Sequence, residues 1–322
     1  MIIKRVVQKT ACLLVSGFFM GTIFLAGCAS LQTESLLRSE NKYPPKVELS
    51  SVPFFAQEQY QCGPAALAMM LQTETKPVTP EELVPKIFLP NRKGSLQIEI
   101  LAVGRQYDVI PYVLNKNMAD LFAEVQANHP VLVLQNLGLS WLPKWHYAVV
   151  IGFDFTTAEM ILRSGSEARH VVPMKVFERT WARSDYWAVV MLAPDTLPTT
   201  ADVNRYIEAV AAVERMKKYN SSVIGYKTAL KQWPDNRVAL MGLGNSYAAQ
   251  QDYLSAAAVF RMTTVKYPQA ADAFNNLADT LVNLQRYEEA MAAIKIALET
   301  GGEHKAIYLQ TLQTIENKIN TR

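Results

Sequence analysis

The chain has 322 residues, half of them apolar, and a formal net charge of +3. That length suits two domains of ordinary size, and the apolar content supplies packed cores, which excludes a wholly disordered chain. Lys4, Arg5 and Lys9 carry three of the positive charges in a stretch of 27 residues without an acid, so the remainder has a net charge of zero and offers no basic face for nucleic acid. The sequence holds no zinc-type Cys/His cluster, Walker loop or dinucleotide glycine motif, and no cofactor or metal is expected.

From the N-terminus, the three cations precede a mostly apolar stretch from Ala11 to Phe24, and small residues follow before Cys28. This order predicts a signal peptide over 1–27 rather than a membrane-spanning helix. Leu25-Ala26-Gly27-Cys28 resembles the lipobox of bacterial lipoproteins. That resemblance implies a Cys28 carrying diacylglycerol and fatty acid, and a protein anchored to a membrane. Ala29 after the cysteine implies the periplasmic face of the outer membrane if the cell is Gram-negative. Residues 28–47 then read as a polar tether ending at Pro44-Pro45. With Cys12 in the signal and Cys28 lipidated, Cys62 is the single free thiol in an oxidising compartment, where no internal disulfide can form.

Residues 48–194 predict a mixed domain. Cys62 or Gly63 opens a helix through Leu71, and Thr79-Pro80-Glu81-Glu82 caps a second with proline at its first position. Ser95 is expected to cap a third to about Tyr107, and Met118 to Ala127 forms a fourth. Strands are expected at Val131–Gln135, Tyr147–Phe153, Met160–Arg163, His170–Val172 and Tyr186–Leu192, each rich in β-branched or aromatic residues. Helices first and strands later favour an α+β fold with an antiparallel sheet.

Pro194, Pro198 and Thr199-Thr200 predict a linker, after which residues 201–322 are wholly helical. Pro234 and Pro268, Leu243 and Leu277, Tyr253 and Tyr287, Ala256 and Ala290, and Phe260 and Ile294 all lie 34 residues apart. This periodicity resembles the tetratricopeptide repeat, with units at 202–235, 236–269 and 270–303, a glycine, Gly302, where the last proline belongs, and a capping helix to Asn320. The resemblance implies a helical solenoid that binds a protein partner on its concave surface.

Cys62 stands in Gln61-Cys62-Gly63-Pro64-Ala65-Ala66, at a helix start whose free N–H groups and dipole favour a thiolate. A lone cysteine is otherwise a small buried hydrophobe. Of the four histidines, His304 lies beyond the repeats, while His129 and His170 read as structural or solvated. His146 opens the apolar run Tyr147-Ala148-Val149-Val150-Ile151-Gly152-Phe153 and would be held rigidly at a sheet end.

Gln57, the Cys62 motif and the His146 strand together resemble the papain-like cysteine peptidases of the double-glycine leader, bacteriocin-processing type, in the lipoprotein form that adds tetratricopeptide repeats. The resemblance implies Cys62 as nucleophile, His146 as base and then acid, and Gln57 with the Cys62 backbone N–H as oxyanion donors. Gln57 precedes Cys62 by five residues where such enzymes commonly show six, and Ser164 stands near the position of their acidic residue. Serine can orient an imidazole without stabilising its cation. Asp154 and Glu167 are the remaining acids considered for that place.

Trp141 and Trp145 either wall a peptide groove or pack their loop onto the domain. Because exporter modules are absent from the sequence, cleavage after a double glycine is not expected to transfer. The expected activity is thiol-dependent hydrolysis of a peptide or amide bond, with a protein or peptide substrate. The rivals are an inactive scaffold acting through its repeats, and a thiol acyltransferase.

Overall fold

The computed structural model describes residues 31–38, 43–56, 61–74 and 77–321. The signal segment, Cys28 and Gln57 lie outside these residues. Among the described residues no helix is long and apolar enough to cross a membrane.

An antiparallel sheet dominates the first half. Its strands are β1 (Lys46–Glu48), β2 (Ile110–Val113), β3 (Val131–Asn136), β4 (Trp145–Asp154), β5 (Glu159–Ser164), β6 (Glu167–Pro173) and β7 (Ala188–Leu192). The order is β2-β7-β3-β4-β5-β6, with β1 paired to the far end of β4. Every residue of β3 and β7 is buried, so both faces of the sheet centre are covered, by α2 (Cys62–Glu74), α5 (Met118–Gln126) and α6 (Met174–Ala182). Two further helices, α3 (Pro80–Ile87) and α4 (Gln97–Gln106), lie beside α2.

Local chemistry explains most element starts. Thr79 accepts from the Glu82 N–H with Pro80 at the first helical position, and Asn117 accepts from Asp120 to open α5. Ser95 does not cap α4 as expected. The helix starts two residues later, and the Ser95 carbonyl instead accepts from the Tyr147 hydroxyl at 3.2 Å.

The expected tether also differs. Leu31–Arg38 forms a helix, α1, whose first amides at Gln32 and Thr33 donate to the Glu178 carboxylate at 3.1 and 2.8 Å. Glu178 is buried on α6, so the helix start supplies the donors that a sequestered carboxylate requires.

The second half consists of three antiparallel helix pairs and a cap. They are α7 (Val203–Arg215) with α8 (Tyr219–Gln232), α9 (Arg237–Ala249) with α10 (Tyr253–Lys266), α11 (Ala271–Asn283) with α12 (Tyr287–Thr300), and α13 (Lys305–Asn320). Gly242 shows why the repeat needs small residues, since a Cβ there would lie 2.6 Å from the Tyr226 hydroxyl.

No loose linker separates the halves. Tyr112 donates to Thr200 O and accepts from the Asp202 N–H, while Glu124, fully buried, accepts from both the N–H and the hydroxyl of Thr200 at 2.7 Å. The apolar core runs unbroken from the sheet through Tyr206, Val210 and Tyr226 to Leu243. A second core begins at Ala256 and ends at Ile315. The division between cores therefore falls inside the repeats.

Glu124 also holds the His129 ring at 2.7 Å. Glu124→Ala leaves three donors without it, and unpaired buried donors cost about 1–3 kcal/mol each. The expected outcome is a loss on the order of 3 kcal/mol, measured by urea unfolding, with sheet and repeats still melting in one transition.

Candidate active site

α2 is buried from Gly63 to Leu71, and Cys62 is its first residue, partly buried at the helix mouth. Gly63 permits this placement because a Cβ would sit 2.5 Å from Ser95 Oγ. β4 brings the second component. His146 is its second residue, paired with Gln135 of β3, and the antiparallel return of β5 carries Ser164 to the same sheet end. There His146 Nε2 and Ser164 Oγ are 2.8 Å apart.

Cys62, His146, Tyr147 and Ser95 line one cleft of about 1130 Å³. The backbone amides of Tyr147, next to His146, of Gly63 and of Cys62 itself lie near enough to the sulfur to act on its ionisation. These amides favour the thiolate, but burial outweighs them and pushes the Cys62 thiol above its ordinary range. Burial, aided by His170 and Lys144, lowers the His146 imidazole to about 4. At neutral pH both groups of the free protein are therefore uncharged.

The other candidates fall elsewhere. Asp154 ends β4 and caps a turn through the Thr156 amide at 2.9 Å, ion-paired with Lys46. Glu167 contacts His170 at 3.2 Å. His129 belongs to the Glu124 network, and His304 pairs with Asp272 at 2.9 Å. Trp145 lines the cleft, whereas Trp141 stands in solvent, so neither packs its loop onto the domain.

Sequence reading missed Ser95 and the Tyr147 amide. Tyr147 was signalled by its place beside His146. Ser95 had no such signal, because its loop reaches Gly63 only through the packing of α4 beside α2. Its hydroxyl is buried with no hydrogen-bond partner. Cations Arg92, Lys93, Lys144 and Arg183 outnumber Asp185 around the cleft, giving it a basic wall.

Residues 49–189 match the model of the Peptidase_C39 like family. Those residues form a C39-like peptidase domain. Tetratricopeptide-repeat models match 226–271 and 263–304, so the chain joins this domain to tetratricopeptide repeats. A C39-like peptidase from Bacillus anthracis is similar, at 21% identity and a TM-score of 0.40, over 46% of this chain and 98% of that one. The Sgt2 repeat domain from Aspergillus fumigatus is 22% identical, with a TM-score of 0.35, over 37% and 79% of the two chains. The TPR2B domain of yeast Sti1, determined with an Hsp70 peptide, is 13% identical with a TM-score of 0.35, over 36% and 97%. No curated protein matches the sequence.

The protonation states yield two measurable outcomes. Between pH 6.5 and about 4 the unfolded chain takes up a proton at His146 that the folded C39-like domain resists. This group's contribution to stability therefore falls as pH drops through that window, and His146→Gln should flatten the urea-midpoint profile there. Alkylation of Cys62 by iodoacetamide should still accelerate as pH rises past 9, because the raised thiol is not yet fully ionised.

Proposed function

We propose that this protein is a membrane-anchored cysteine peptidase, hydrolysing a peptide or amide bond, with the repeats recruiting a protein partner. One observation carries the proposal. The Nε2 of His146 is engaged by Ser164 at 2.8 Å, which leaves Nδ1 as the remaining ring nitrogen in the cleft that Cys62 also lines.

The chemistry uses the tautomer in which Ser164 accepts from the imidazole. With Nε2–H donating to Ser164, Nδ1 is the basic lone pair. Cys62 Sγ adds to the carbonyl carbon as its proton passes to Nδ1. The C–N bond then breaks, the imidazolium protonates the leaving amine, and a thioester remains. Water, deprotonated by the same nitrogen, releases the carboxylic acid and the thiol. The Cys62 backbone N–H, with Gln57 in the role its motif implies, steadies the oxyanion. Ser164 orients the ring but adds no counter-charge, so the imidazolium forms at a cost that a carboxylate would reduce.

The anchoring rests on the lipobox, with cleavage before Cys28, acylation there, and placement at the periplasmic face of the outer membrane in a Gram-negative host. The segments 1–27, 28–47, 48–194 and 201–322 serve as signal, lipidated start, peptidase domain and repeats.

A second reading, an inactive scaffold acting through the repeats, is favoured by the neutral state of both Cys62 and His146. Labelling with a peptidyl electrophile separates the two. Wild type should be modified at Cys62, Cys62→Ala should not, and His146→Ala should slow labelling by roughly 100-fold or more. Ser164→Asp should raise the imidazole pKa and speed labelling near neutral pH. Wild-type rates no faster than those of the unfolded chain, with no response to either histidine or serine substitution, would favour the scaffold.

A further inference from the structure

The loop between β3 and β4 presents Leu137, Leu139, Trp141, Leu142 and Trp145 to solvent, with Trp141 77% and Leu142 63% exposed. Five large apolar side chains are thus exposed within nine residues of one loop, where scattered ones are the rule. The loop is also built to hold that shape. Asn136, buried at its base, accepts from the amides of Gly138 and Lys144 at 2.9 Å, and Leu137 N–H donates to Lys144 O at the same distance. Arg183 donates to Gly138 O at 2.7 Å and to Asn136 O at 3.2 Å. A Cβ on Gly138 would collide with Leu142 O, so the loop cannot be loosened by a side chain there. Much of its backbone is thus paired within the protein while its side chains point outward, the arrangement that an apolar medium requires.

Two observations identify the medium. Lys144 within the loop and Arg92 and Lys93 of the same cleft place cations around Trp145, the pairing found where a protein meets lipid headgroups. The second is the position of the chain start. Gln32 donates to Lys116 O at 3.2 Å, and Lys116 is ion-paired with Asp185, which lines the cleft. Cys28 precedes Leu31 by three residues, which span at most about 10 Å. A lipid on Cys28 would therefore enter the bilayer close to the cleft mouth.

We propose that the 137–145 loop seats in the lipid interface and turns the Cys62–His146 cleft toward the membrane, so that its substrate is presented at the bilayer surface. This rests on the anchored-peptidase reading and deepens it. Trp141, Leu139 and Leu142 do not line the cleft, which distinguishes a membrane contact from a wall for the substrate.

Vesicles of brominated phosphatidylcholine with phosphatidylglycerol test the proposal on the full chain, reading tryptophan quenching and co-sedimentation separately. Wild type should sediment and be quenched. Trp141→Ser should sediment with reduced quenching, Trp145 of the same loop supplying the remainder, and Leu142→Ser, which keeps Trp141, should show shallower quenching with unchanged circular dichroism. Sedimentation with unquenched emission overturns the loop contact while leaving the anchor intact. A chain that carries no lipid on Cys28 by mass, and sediments no better than Cys28→Ser, overturns the anchor instead. Quenching of that chain by the same vesicles would still support the loop contact, and its absence would overturn it. A Trp141 emission that responds to a peptide electrophile and not to lipid also overturns it.

Discussion

The pairing of β4 with its neighbours fixes the histidine side of the cleft. Its start holds His146, its outer edge returns Ser164 through β5, and its second neighbour β3 leads into the apolar loop. The same strand lends the Tyr147 amide to the sulfur of Cys62. A slip of one residue in this ladder would carry His146 to the opposite face and remove all of these relations together.

Burial then acts against the charge separation that thiol chemistry uses. The helix start and three amides favour a thiolate, yet removal from water favours the neutral thiol, and the larger effect prevails in the free protein. A serine in the third position does not redress the balance. In the free C39-like domain both groups therefore rest neutral, and further removal of water would favour that state.

Elements governed by local chemistry were legible in the sequence. The Thr79 cap, the Cys62 helix, the His146 strand and the 34-residue period each rest on neighbours a few residues away. Ser164 was singled out by the family resemblance alone, and the return of β5 beside β4 is what sets it against His146. What escaped depends on distant partners. Helix α1 exists beside Glu178, nearly 150 residues on, and Ser95 meets Gly63 only in the packed domain. Strand β2 was concealed by Pro111, tolerated because β2 is at the sheet edge. The Pro194–Thr200 segment looked like a spacer because its composition is that of one, while its hydrogen bonds to Glu124 and Tyr112 are tertiary.

The unbroken core across that segment limits how the gene can be divided. A fragment stopping near Pro194 would present Ile110 and the surroundings of Tyr112 to water, and the complementary fragment would bare the apolar surface around Val210. Recombination between a free-standing peptidase and a free-standing repeat array would have to remodel both surfaces at the junction. Insertions or losses of whole repeats are easier to accommodate beyond Leu243, where a second core begins and meets the first through Tyr247.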